Sequence, residues 1–226
     1  MRLIQLLSIF AVLFYLPVAQ ADVGKDVIKL QKKWAVATYR LEDKKQKEAY
    51  ESLIVQAEQF IASTPNAADI LIWSGIIKST YAGIKGGLGA MSLAKSSKAD
   101  LEKALSIDKM AMSGGAYLSL GILYYKVPSW PLGFGDNDKA EALLKKALTM
   151  DKEGIDSNYF YADFLVDQRQ FEQAEKYFLL AQKAPARVNR PIADKGRQDE
   201  ITQALQKIQM TLTDKQKNNA SITDRR

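Results

Sequence analysis

Ala140-Glu141-Ala142-Leu143-Leu144-Lys145-Lys146-Ala147-Leu148-Thr149-Met150-Asp151 places small or apolar residues at 140, 144, 147 and 148, which is one face of an α-helix. The same slots recur 34 residues later, where Ala174, Phe178 and Ala181 stand for Ala140, Leu144 and Ala147, and Gln182 stands for Leu148. A period of about 34 residues with one helical hairpin per period defines a stack of helix pairs. The small residues have a physical reason. Helix axes at a separation of roughly 8 to 10 Å leave room only for Gly or Ala at the closest approach, and larger neighbours fill the grooves beside it.

The last unit reads Asn158, Ala162, Leu165, Ala174, Phe178 and Ala181. The preceding unit gives Tyr117, Gly121 and Tyr124, then Ala140, Leu144 and Ala147, with about 7 residues inserted between its helices. Upstream come Leu71, Gly75 and Lys78, then Ser97, Leu101 and Ala104, with about 10 inserted. The earliest unit is Trp34, Thr38, Leu41, Tyr50, Ile54 and Ala57. This pattern resembles the tetratricopeptide repeat. Ala104-Leu105-Ser106-Ile107-Asp108 and Ala147-Leu148-Thr149-Met150-Asp151 resemble the end of that repeat, with Lys109 and Lys152 where the family has Pro. The resemblance implies an all-α, right-handed superhelical stack of about four hairpins with two inter-helix insertions. Ile192, Ala193, Ile201, Leu205 and Ile208 lie at helical spacing and predict a C-terminal capping helix.

Three segments are expected: a signal peptide over 1–21, the repeat domain over 22–212 and a disordered tail over 213–226. Met1 to Leu16 is almost wholly apolar with Arg2 as its only side-chain charge, and Ala19-Gln20-Ala21 supplies small residues for cleavage after Ala21. The apolar run is short for a spanning helix, so no stable membrane span is expected after cleavage; the other reading of it is an uncleaved anchor. The chain contains no Cys, which excludes a lipid-bearing thiol and any disulfide, and an export signal without disulfides suits a periplasmic location. The absence of His as well as Cys removes the common catalytic triads and the usual zinc and haem ligands. No cofactor or metal is expected, and the chain reads as a non-enzyme. A net charge of +6 without a long basic run gives no sign of nucleic-acid binding.

The two insertions differ in character. Gly83-Ile84-Lys85-Gly86-Gly87-Leu88-Gly89 lacks the Lys-Ser/Thr of a phosphate loop and reads as a turn into a long helix beginning near Leu88. Lys126-Val127-Pro128-Ser129-Trp130-Pro131-Leu132-Gly133-Phe134-Gly135-Asp136-Asn137-Asp138 is too apolar for an ordinary loop. It predicts a folded arm whose Trp130, Leu132 and Phe134 either pack back on the hairpin or present a sticky lip. Asp138 and Glu141 read as a capping box for the following helix.

The arm, the run from Gly154 to Phe164 and the stretch from Ala184 to Arg197 resemble exported tetratricopeptide proteins related to the T component of some TRAP-type transporters. Leu120-Gly121-Ile122-Leu123-Tyr124 followed by the arm is the most specific piece, and the likeness spans about Ala67 to Ile201. Those relatives are often lipoproteins, which a chain without Cys is not. Tetratricopeptide proteins bind on the concave face, and carried over by slot this implicates Tyr39, Ile72, Ile76, Leu118, Ile122, Tyr125, Asp156, Tyr159 and Asp163. An apolar groove flanked by carboxylates implies as partner another envelope protein or peptide, or alternatively a small hydrophobic solute. The face could equally be filled by the arms and terminal helix. Arg187, Arg190 and Arg197 are expected to pair with Asp156, Asp163 or Asp194.

Overall fold

A computed structural model describes residues 22–223; the expected signal sequence, Met1 to Ala21, lies outside the described residues. Eight helices form four consecutive hairpins: α1 (Val23–Tyr39) with α2 (Asp43–Ser63), α3 (Ala68–Lys85) with α4 (Gly87–Ile107), α5 (Ala111–Lys126) with α6 (Asn137–Met150), and α7 (Ile155–Asp167) with α8 (Phe171–Gln182). A ninth helix, α9 (Pro191–Thr223), follows. The second, third and fourth hairpins pack most heavily within themselves, whereas the first packs more heavily on α3 of the next hairpin than within itself; successive hairpins touch throughout, as a helical repeat stack requires. Among the described residues no helix is long and apolar enough to cross a membrane.

The repeated small residues sit where the helices approach. A Cβ on Gly75 would lie 2.6 Å from Leu101 Cγ, and one on Gly121 would lie 2.8 Å from Leu144 Cγ. Both glycines therefore take the partner helix's leucine into a hole that no side chain could share. Ala140, Ala162, Ala174 and Ala181 are fully buried for the same reason. Lys78 occupies a slot where the repeat favours an apolar residue. Its buried ammonium lies 2.8 Å from the Asp100 carboxylate, which also accepts from the Ser74 hydroxyl at 2.7 Å. An ion pair between α3 and α4 thus replaces the apolar contact, and its charge is tolerated because it is partnered.

The first insertion is absorbed as helix. α3 and α4 are separated only by Gly86, whose φ of 64° turns the chain in the left-handed region that glycine enters without penalty. The second insertion is a folded arm. Gly133 and Gly135 donate to the carbonyls of Ser129 and Pro128, and Asp136 N–H donates to Tyr124, so the arm's backbone folds onto itself and onto α5. The cap of α6 is Asp136, whose carboxylate accepts from Lys139 N–H at 3.0 Å, rather than Asp138 as the capping-box pattern suggested. The helix begins two residues earlier because Asp136 is held extended by its bond to Tyr124.

The capping helix departs most from expectation. α9 continues to Thr223, so residues 213–223, expected to be disordered, are helical; Asp224, Arg225 and Arg226 lie outside the described residues. Polarity argued for disorder, yet the stretch carries neither Pro nor Gly to stop a helix already nucleated by packing. The other end of α9 reaches across the stack. It packs on α8 and α7 and also on α1, joining the last hairpin to the first. A Cβ on Gly196 would lie 2.3 Å from the Tyr39 ring, so α9 crosses α1 at van der Waals distance. The stack is closed into a ring around its concave face.

Gly196→Val is expected to lever α9 from Tyr39 at a cost of about 1–3 kcal/mol, the range for overpacking a tight contact. Urea unfolding should show that loss. Limited proteolysis should cut the 183–200 region faster, with the far-ultraviolet circular dichroism of the stack unchanged.

Candidate functional site

Ring closure turns the concave face into a cavity of about 680 Å³. Its walls come from α1, α3, α4, α5, α7, the root of the arm and α9. Ile72, Ile76, Leu118, Ile122 and Leu123 make one side apolar, while Asp156, Arg187, Arg190, Arg197 and Glu200 make the side nearest α9 charged. This volume lies within the roughly 300–1,000 Å³ range of small-molecule pockets.

The nine residues carried over from the repeat's concave slots divide between two sites. Tyr39, Ile72, Ile76, Leu118, Ile122 and Asp156 line the cavity. Tyr159 and Asp163 line a separate cleft of about 320 Å³ between α7, α8 and α9. Tyr125 reaches neither; it is buried in the core, edge-on to Phe164 at 5.6 Å, and donates to Asp163 at 2.8 Å. The cause is α9. By docking beside α7 it splits what would be one continuous face, and the turn of α7 that carries Tyr159 and Asp163 falls on its far side.

The arm also divides. Phe134 packs inward, edge-on to Tyr124 at 5.7 Å with Lys98 over its ring, whereas Trp130 and Leu132 stand 86% and 77% exposed. Val127 and Pro128 at the arm's root line the cavity. The arm is therefore both wall and lip.

Asp156 is the centre of the polar side. Arg187 Nη1 lies 2.6 Å from one carboxylate oxygen and Arg197 Nε 3.0 Å from the other; Arg190 Nη1 is farther, at 3.6 Å. Arg187 also grips Asp194, with Nε donating at 2.8 Å and Nη2 at 2.6 Å, close enough for an ion pair though off the angle of a hydrogen bond. Arg197 pairs with Glu200 and stacks over Tyr159 and Phe160 at 4.2 and 4.5 Å. Burial alone would raise the Asp156 pKa, but Arg197, Arg187 and Arg190 outweigh it and hold the carboxyl well below its usual range. Burial pushes the Tyr159 hydroxyl up to about 12 against the opposing pull of Arg197.

The expected pairing of these arginines holds for Asp156 and Asp194 and not for Asp163, which takes Lys126 at 2.8 Å instead. Asp156 and Asp163 are thus each committed to cationic or phenolic donors and do not form an acid–base pair.

Trp73 and Arg190 were not among the residues the repeat pattern pointed to. Trp73 is buried in α3 beside Trp34, whose own indole N–H donates to Thr80 at 3.2 Å. The Trp73 indole N–H and the Arg190 Nε–H are both buried without an acceptor, and the guanidinium lies over the Trp73 ring at 5.2 Å. Burial also lowers the Arg190 pKa, since Asp156 at its longer distance compensates only in part. The sequence signal was available in the Arg190-Pro191 step that starts α9, but nothing local tied it to a tryptophan in α3.

Residues 132–189 match the tetratricopeptide repeat family model, covering the arm's end, α6, α7, α8 and the loop toward α9. Such repeats generally mediate protein–protein interaction, and nothing in the match indicates catalysis. No curated protein matches the chain.

Asp156→Asn should destabilise the fold by about 3–5 kcal/mol, the cost of stranding buried cations. The sign of its pH dependence follows from the depressed pKa. Asp156 contributes stability that is fully present above the unfolded value of about 4 and lost as pH falls toward the lower folded value. Urea unfolding should therefore show the gap between wild type and variant constant near pH 7 and narrowing below about pH 4.

Proposed function

We propose that this chain is an exported, non-enzymatic binding protein that holds a compact apolar ligand inside its concave cavity. The observation that carries this reading is the packing of α9 on α1. With α9 docked on α1, the face that an open repeat stack offers to an extended peptide is narrowed to a partly open cavity of about 680 Å³ with an apolar wall. A small hydrophobic solute fits such a volume better than a long polypeptide does. The apolar start of the chain and its small-x-small triplet support export, and a chain without Cys supports a periplasmic location. A role beside a TRAP-type transporter is compatible with the resemblance of the arm and the Leu120–Tyr124 helix.

A second reading, capture of a partner polypeptide, is favoured by a different observation. Trp130 and Leu132 stand exposed on an arm whose backbone is fixed by hydrogen bonds, and the repeat family generally binds proteins. Rigid exposed aromatic residues of this kind anchor interfaces.

Native mass spectrometry of protein purified from its own envelope, before and after denaturation, tests both readings. A stoichiometric small mass released on denaturation is expected, and Ile76→Trp with Ile122→Trp, which fill the cavity, should reduce it at least about tenfold with helical content unchanged. A bound polypeptide lost on Trp130→Ala with Leu132→Ala, and kept in the cavity-filled variant, would replace the first reading with the second.

A further inference from the structure

We infer that the cavity selects a ligand with a single carboxylate at one end of an apolar body, and that Arg190, backed by Trp73, is the group that recognises it. This rests on the proposed cavity-binding function and adds the chemistry of the ligand's head.

The argument begins with an imbalance among the arginines. Arg187 is shared between two carboxylates and Arg197 between Asp156 and Glu200. Arg190 has the poorest pairing of the three. Its nearest carboxylate contact is 3.6 Å, beyond hydrogen-bond length, and its Nε–H meets no acceptor. The guanidinium nevertheless sits in the cavity wall with only 16% of its side chain exposed. A buried cation is retained at a cost unless an anion or acceptor meets it.

The neighbouring Trp73 repeats the imbalance. Its indole N–H can only donate, and it too is buried in the wall without an acceptor. The ring holds the Arg190 guanidinium at the cavity wall, where a loosely paired cation asks for oxygen rather than for another donor. Asp156 cannot turn to supply it, since its oxygens are already held by Arg187 and Arg197. A carboxylate is planar and accepts at two oxygens, which matches the fork of a guanidinium. Ile72, Ile76, Leu118 and Ile122 also line the cavity and favour an alkyl or aryl body. A wholly apolar ligand would leave the donors unmet, and a cationic one would face Arg190 directly.

The test compares decanoate with decanol, the same body with and without the charge, by isothermal titration calorimetry of the purified protein. Decanoate is expected to bind about tenfold or more tightly than decanol, because a charge-assisted hydrogen bond is at stake. Arg190→Gln should erase that preference while leaving decanol affinity within about twofold. Arg190→Lys keeps the charge and loses the planar fork, so it should reduce the preference even if Arg190→Gln fails to fold, which circular dichroism would reveal. Equal binding of the two probes to wild type, or a preference unchanged in a folded Arg190→Gln variant, overturns the carboxylate inference and leaves the cavity function standing. Binding of neither probe overturns both.

Discussion

One buried carboxylate holds the architecture of this protein together. Asp156 lies on the first turn of α7 and receives guanidinium groups from the loop after α8 and from α9. Without it, the segment from Arg187 to Arg197 would bring three like charges into one small region. With it, the same charges become the means by which α9 is drawn across the concave face. A buried ionic network seldom adds much net stability over a well-packed apolar one, because desolvation consumes most of the attraction. What it supplies here is direction: α9 has one carboxylate to meet, and meeting it brings Gly196 against Tyr39.

The rest of the stack follows a simpler rule. In the second and third hairpins a Gly gives way to a Leu from the partner helix, at Gly75 with Leu101 and Gly121 with Leu144. These contacts are local, each hairpin supporting the next, and they place the apolar slots of α3 and α5 on a common inner surface. Ile72, Ile76, Leu118 and Ile122 are thus presented by ordinary repeat packing. Asp156 of α7 apart, the charged wall belongs to the chain's individual part, the loop and helix beyond the last repeat.

That division explains what could be read from the sequence. The hairpins were legible because packing at helix crossings writes small residues at fixed spacing, and Ala140, Ala147, Ala174 and Ala181 preserve it. Much of the cavity's apolar wall was legible too, since it uses the repeat's own inner slots. Tyr125, Tyr159 and Asp163 fell elsewhere because slot spacing describes one hairpin among identical neighbours and takes no account of a helix laid across them. The Trp73–Arg190 contact links residues on α3 and at the start of α9, and no short-range pattern records such a meeting. Asp136 displaced Asp138 as a cap through a single backbone bond to Tyr124, again a tertiary contact overriding a local motif.

The meeting of Tyr39 and Gly196 also alters how the chain can fold. An open solenoid is a one-dimensional array in which any pair of neighbours can form first and the ends fray independently. Here the two ends touch, so a contact between the first helix and the last completes the wall of the interior. Forming it means closing a loop that contains nearly the whole repeat array, an entropic step that local helix pairing does not lessen until the hairpins between are in place. During synthesis α1 therefore emerges long before its partner, and the inner surface is left facing water until the last helix arrives.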